Sequence, residues 1–244
     1  MDDSKVALVT GGSRGIGAAI VRRLAADGMR VAFTYATKRD RAEQVVNEVN
    51  AHQGHALCLE ADAADPAGIA GVVEHALDRW GRLDVVVANA GVARAGGIDT
   101  LPAEEIDQMI DVNVRGVVHT IRAALPHLRD GGRIVTIGSV NAERAPFAGA
   151  AAYAMTKAAV AGLVRGLARD LGPRGITVNN VQPGPTANDS MTVDGPAAHA
   201  MTKWLALPRI GTPEEVSALV SYLAGPEAAF VTGASLTIDG GFAA

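Results

Sequence analysis

Thr10-Gly11-Gly12-Ser13-Arg14-Gly15-Ile16-Gly17 joins an apolar run, Val6 to Val9, to a helical pattern through Ile20, Val21 and Leu24. A strand that passes through a glycine-rich loop straight into a helix is the opening unit of a dinucleotide-binding sheet. In that context Gly11 permits a tight turn, Gly15 lets the backbone approach a pyrophosphate, and Gly17 lets helix and strand pack closely. Ser13, Arg14 and Ile16 fall in the same loop. The phosphates would sit at the helix N-terminus, where backbone N–H groups are free. The spacing, Gly-x-x-x-Gly-x-Gly, departs from the commoner fingerprint, and a glycine-rich turn without a ligand is the plain alternative.

Working outward, short β-branched or apolar runs alternate with helical patterns to the end of the 244 residues, as in βαβ units. Strands are expected at Val6 to Thr10, Arg30 to Tyr35, His55 to Glu60, Asp84 to Ala88, Arg133 to Gly138, Ile176 to Val181 and Ser235 to Ile238. Several are apolar on both faces, which fits strands covered on both sides. Asp65-Pro66 opens a helix that Gly81 closes, and Thr212-Pro213-Glu214-Glu215 is a capping box with proline at the first helical position. No linker interrupts the alternation. The expectation is an α/β protein with one domain over residues 1–244, a Rossmann-type doubly wound, mostly parallel seven-stranded sheet with helices on both faces. Between Pro183 and Pro208 the pattern breaks into Pro, Gly, Asn, Asp and His, too long for an ordinary connection, and reads as a lid at about residues 184–207.

Composition excludes several classes of partner. Hydrophobic residues make up 48% and the formal net charge is -4, so neither a nucleic acid nor an anionic membrane is the expected partner. The chain holds one cysteine, Cys58, and can form no internal disulfide. Met1 to Lys5 lead directly into Val6 without the pattern of a signal peptide, and no apolar run is long enough to span a membrane. A cytoplasmic protein acting on a small molecule is expected.

The second strand ends Phe33-Thr34-Tyr35-Ala36, followed by Thr37, Lys38 and Arg39. NAD-binding sheets place an acid here against the ribose hydroxyl, whereas a 2′-phosphate calls for positive charge. With Arg14 in the glycine loop and Tyr35, Thr37 and Lys38 at the strand end, NADP(H) is the expected cofactor. Lys38 and Arg39 also read as solvated residues opening a helix.

Tyr153 and Lys157, four apart at the start of a helical pattern, share one helix face. A nearby ammonium favours phenolate, which would draw a tyrosine toward acid/base work near neutral pH. With this pair the chain resembles the short-chain dehydrogenases/reductases over essentially its whole length. The motifs stand in family order: the glycine loop, Asp62 after the third strand, Asn89-Ala90-Gly91 after the fourth, Asn113 in the next helix, Ser139 after the fifth, Tyr153/Lys157, and Pro183-Gly184 after the sixth.

The resemblance implies that Ser139 polarises a substrate carbonyl while Tyr153 donates its proton as hydride arrives. Lys157 would lower the tyrosine pKa and bind the nicotinamide ribose, and Asn113 would hold a relay water. Asp62, beside Ala63, would accept from the adenine amino group, and Asn89, Ala90 and Gly91 would border the cofactor. Two positions depart from the family pattern: Ala88 replaces the first Asn of Asn-Asn-Ala-Gly, and Asn188 stands where Thr is usual, with Thr186 two residues earlier. A homotetramer, or a dimer, packed through helices around Val114 to Leu128 and Tyr153 to Leu171 is also implied, with Asp239-Gly240-Gly241 near an interface.

Within the family, Ile137-Gly138-Ser139 and Arg174 to Asn179 are similar to 3-oxoacyl-carrier-protein reductases. For docking an acidic carrier, Arg129 and Arg174 make a thin basic footprint. Gly138-Ser139-Val140-Asn141 and Gln182 to Pro185 resemble a bacterial subgroup described as cyclic di-GMP-binding biofilm-dispersal mediators. An intact Ser139, Tyr153 and Lys157 favour catalysis on a ketone or secondary alcohol. Cys58 reads as packing. His52 and His55 lack further ligands, so no metal is expected. Trp204 reads equally as core or as substrate wall.

Overall fold

In the structure, a computed structural model, residues 4–244 are described; Met1 to Asp3 of the leading segment lie outside them. The strands are β1 (Val6–Val9), β2 (Arg30–Tyr35), β3 (His55–Glu60), β4 (Leu83–Ala88), β5 (Leu128–Ile137), β6 (Thr177–Pro183) and β7 (Ser235–Ile238). They form one sheet in the order β3-β2-β1-β4-β5-β6-β7. Every neighbouring pair is parallel.

Residues alternate between the two faces, as the pleat requires. Ala7 and Val9 enter one core with α1 (Gly15–Ala26), α2 (Arg39–Ala51) and, later in the chain, the helix Pro213–Ala224. Val6 and Leu8 enter the other with α3 (Pro66–Trp80), the helix Gly116–Ala124 and the helix Ala151–Leu171. Cys58 packs against the first core, and burial raises its thiol pKa. The helix starts follow their capping chemistry. The Asp65 carboxylate accepts from Ala67 N at the head of α3, and Gly81 ends that helix with φ +71°.

After α4 (Ala103–Ile110), the helix expected around Val114 to Leu128 begins in a π-helical turn (Asp111–Arg115) and continues as α5 (Gly116–Ala124), ending before Leu128. Leu128 instead begins β5, pairing with Leu83 before a register shift carries Arg133 opposite Val85. The Arg-Asp-Gly-Gly interruption hid that early start. Next, α6 (Ala151–Leu171) begins two residues before Tyr153. The lid contains a short helix, α7 (Pro196–Thr202), before α8 (Pro213–Ala224); seven residues are too few to show a period. No helix among the described residues is long and apolar enough to cross a membrane.

Strand order reverses between β1 and β4, which opens a crevice at their C-terminal ends. The glycine loop, Asn89 and Ser139 follow β1, β4 and β5, and Pro183 ends β6.

Candidate active site

The glycine loop is held by its neighbours' polar groups. Gly11 N donates to Thr34 Oγ1 at 3.0 Å, and Asn89 N and Ala90 N both donate to Thr10 Oγ1 at 3.1 Å. The Asn89 amide donates to the Thr10 and Gly11 carbonyls at 2.9 and 3.0 Å, locking the loop to the end of β4. A Cβ at Gly17 would lie 2.1 Å from the Gly11 carbonyl oxygen, so the close approach at Gly17 is to the loop itself rather than to a strand. Gly15 has φ +52° with open space before it, and no side chain caps the α1 N-terminus. Its first N–H groups therefore face the crevice.

A groove of about 490 Å³ runs past these groups. It is lined by Gly11, Ser13, Arg14, Gly15, Ile16, Gly17, Tyr35, Thr37, Lys38, Asp62, Ala63, Asn89, Ala90, Gly91 and Thr186. Asp62 uses one carboxylate oxygen to accept from Ala64 N at 2.9 Å. Arg39 is not part of the lining: its guanidinium donates to Glu43 at 2.8 Å, one turn on. Arg41, likewise outside the lining, pairs with Asp189 in the segment after β6, whose carboxylate also lies 3.8 Å from Arg14. Nothing in the local sequence marked Arg41, because its partner is remote in the chain.

The groove continues into a cleft of about 370 Å³ lined by Ser139, Tyr153, Lys157, Pro183 and Gly184, with Asn89, Gly91 and Thr186 common to both. Tyr153 and Lys157 meet as the helix spacing requires, the ammonium 5.8 Å from the ring centroid. Lys157 is 5% exposed and donates to the Ile137 carbonyl at 2.8 Å; burial lowers its pKa to about 8. The Tyr153 pKa is raised above its ordinary value, chiefly by burial, with a hydrogen bond from Ser139 pulling the other way. The net lowering expected beside Lys157 is not seen in this arrangement. In this arrangement the lysine is itself desolvated, and desolvation dominates the tyrosine.

Ser139 Oγ accepts from Asn141 N at 3.1 Å and reaches Asn141 Oδ1 at 3.4 Å, so the residue that turns the chain after β5 also presents its hydroxyl to the cleft. Asn113 is fully buried in the π-helical turn and lines neither space. Its amide nitrogen donates to Val92 O at 2.8 Å and Thr156 Oγ1 at 3.1 Å, and its oxygen accepts from Val92 N at 2.8 Å. Thr156 Oγ1 in turn donates to the Tyr153 carbonyl at 2.8 Å. Both amide hydrogens of Asn113 are thus spent, leaving only oxygen acceptors for a relay water. Thr156, inside the Tyr153/Lys157 span, was overlooked as a partner.

At the lid, Thr186 Oγ1 donates to the Gly184 carbonyl at 3.0 Å. The Asn188 side-chain oxygen accepts from Ser190 N, Ser190 Oγ and Met191 N, so it caps its own turn. Trp204 joins neither the core nor the cleft lining; its ring lies 5.4 Å from the Lys203 ammonium.

A family model described as "Enoyl-(Acyl carrier protein) reductase" matches residues 11–243. The chain is similar to a short-chain dehydrogenase/reductase from Serratia marcescens, at 53% identity and TM-score 0.96, with 98% of each chain covered. It is also similar to a short chain dehydrogenase from Burkholderia cenocepacia in complex with NADP, at 49% identity and TM-score 0.95, again with 98% of each chain covered. The cyclic-di-GMP-binding biofilm dispersal mediator protein of Escherichia coli is 47% identical over 240 residues, 98% of each chain.

Proposed function

The chain belongs to the short-chain dehydrogenase/reductase family of oxidoreductases, and from that premise we propose that it is an NADPH-dependent carbonyl reductase, interconverting a ketone and a secondary alcohol. The observation that carries this reading is the convergence of Ser139, Tyr153 and Lys157 on one cleft continuous with the glycine-loop groove.

The groove fits the cofactor on its own chemistry. The uncapped α1 N-terminus and the open approach at Gly15 suit a pyrophosphate. No acid stands at the end of β2, and Arg14, Thr37 and Lys38 offer donors for a 2′-phosphate. The NADP complex of the Burkholderia relative supports the same choice. When bound, NADPH supplies the hydride. Gly11, Ser13, Ile16 and Gly17 would cradle its phosphates, with Tyr35, Asp62 and Ala63 on the adenosine side. Asn89, Ala90, Gly91, Pro183, Gly184 and Thr186 would border the nicotinamide half.

The Ser139 hydroxyl holds the substrate carbonyl oxygen and polarises it. Tyr153 donates its phenolic proton to that oxygen as the carbon is reduced, which leaves a phenolate that Lys157 stabilises. Lys157 spends one of its three ammonium donors on the Ile137 carbonyl and would have others for the nicotinamide ribose. The proton is returned from solvent, and Asn113, through its hydrogen bond to Thr156, would hold the turn that carries Tyr153. In the oxidative direction each proton moves the opposite way.

Two narrower readings differ in their support. Arg174 donates to Asp130 and to the Leu125 and Leu128 carbonyls, which leaves exposed Arg129 as the remainder of the carrier-docking footprint. The Escherichia coli relative supports a cyclic dinucleotide-binding regulator on the same fold; competition between that dinucleotide and NADPH separates it from a reductase. A homotetramer in the cytoplasm belongs to the proposed reading, and a monomeric mass in light scattering would count against it.

The test is NADPH oxidation over ketones, β-ketoesters, quinones and imines, with NADH as control. Turnover should fall about 10²- to 10⁴-fold in Tyr153→Phe. Tight NADPH binding without turnover on any class contradicts the reductase.

A further inference from the structure

We propose, resting on the carbonyl-reductase reading, that the substrate is a neutral ketone bearing an aromatic group, and that Phe242 is the residue that selects it. The cleft beside Tyr153 is walled by Val92, Phe147, Met191, Met201 and Phe242. These come from the loop after β4, the loop before α6, the lid and the segment after β7. Tyr153 and Lys157 are the only ionisable residues in the lining, and both are committed to the reaction.

Arg144 stands next to this wall but is not part of the cleft lining. Its guanidinium donates to the Phe242 and Ala244 backbone oxygens and lies 5.8 Å from the Phe242 ring centroid. A substrate carboxylate or phosphate would therefore lose water in the cleft without gaining a counter-ion, which is costly. A neutral ketone meets no such penalty.

Phe242 is 2% exposed, whereas Phe147 is 46% exposed. Besides the Arg144 contact, Phe242 N donates to the Asp239 carbonyl at 3.2 Å, and the Asp239 carboxylate accepts from Gly241 N and Ala243 N on either side. The segment is thus tied down around the ring. A fixed ring lining the same cleft as two flexible thioethers, Met191 and Met201, suits a flat aromatic ligand, because thioethers adapt to it and contact its edge favourably.

Purified protein with NADPH should reduce methyl benzoylformate at least tenfold more efficiently, by kcat/KM, than the benzoylformate anion. It should prefer β-tetralone to cyclohexanone. In Phe242→Leu, which keeps apolar volume if Phe242→Ala does not fold, the β-tetralone to cyclohexanone ratio should fall about three- to tenfold. Equal loss on both ketones, or equal use of the ester and the anion, overturns the proposal. Calorimetry of β-naphthol binding to the NADP⁺ complex reads the seat without turnover. Binding that weakens in Phe242→Leu supports the seat even if no ketone is reduced, an outcome that would instead overturn the reductase reading. No binding of β-naphthol to the wild-type complex overturns the seat.

Discussion

Tyr153 holds its proton more tightly than a free tyrosine, while Lys157 holds its proton less tightly, with a pKa of about 8. Burial is the first cause of both shifts, and it always favours the neutral form. The sign for activity follows. Below about 8 the ammonium is present to steady the phenolate formed as the proton leaves; above about 8 it is lost while the tyrosine is still protonated. Reductive kcat/KM for NADPH, which reports groups of the free protein, should be level near neutrality and fall above a pH of about 8. Lys157→Met should lack that inflection; a wild-type profile without one contradicts the assignment. At this scale Ser139, Tyr153 and Lys157 were legible because each sits at a fixed offset from a strand or from its partner. Arg41, Thr156 and Phe242 were not, because Asp189, Asn113 and Arg144 reach them across the fold.

Among the elements, the β1–loop–α1 unit does most to define the cofactor. Its helix start has no side-chain cap, so a bound anion would complete it, and Arg14 of the same turn lines the groove together with Thr37 and Lys38. Arg14 also lies 3.8 Å from Asp189, so a 2′-phosphate held there as proposed would compete with that carboxylate for one guanidinium. Arg14→Ala should raise KM for NADPH about tenfold, the loss of one charge-assisted hydrogen bond, and leave KM for NADH nearly unchanged. Equal effects on the two cofactors in steady-state assays would place Arg14 on the pyrophosphate instead. Elements with chemical end signals were readable, as at Asp65 and Thr212, where side chains accept from the helix's own N–H groups. The π-helical turn at Asp111–Arg115 left no such signal: its altered hydrogen-bond spacing changes no residue type, yet it buries Asn113 between Val92 and Thr156. Short α7 was hidden for the same want of repetition.

At the level of the whole molecule, one reversal of strand order brings the two halves of the chemistry together. The groove depends on β1, β2 and β4, the proton-transfer residues on β5 and α6, and the lid after β6 borders both. Seven strands and their parallel pairing were readable because alternating βαβ units admit few connections. The early start of β5 was not, since Leu128 pairs with Leu83 ahead of a register shift, with Arg129 to Gly132 lying between it and the next pair at Arg133. In the proposed function this crevice moves hydride to a carbonyl carbon with Tyr153 supplying the proton. The most direct test uses NADPH deuterated at the nicotinamide C4 position, in both stereoisomers, with β-tetralone and mass spectrometry of the product. An alcohol carrying the deuterium on its carbinol carbon is expected from one stereoisomer, and almost none with Tyr153→Phe; NADPH that binds but transfers no deuterium to any ketone overturns the reductase.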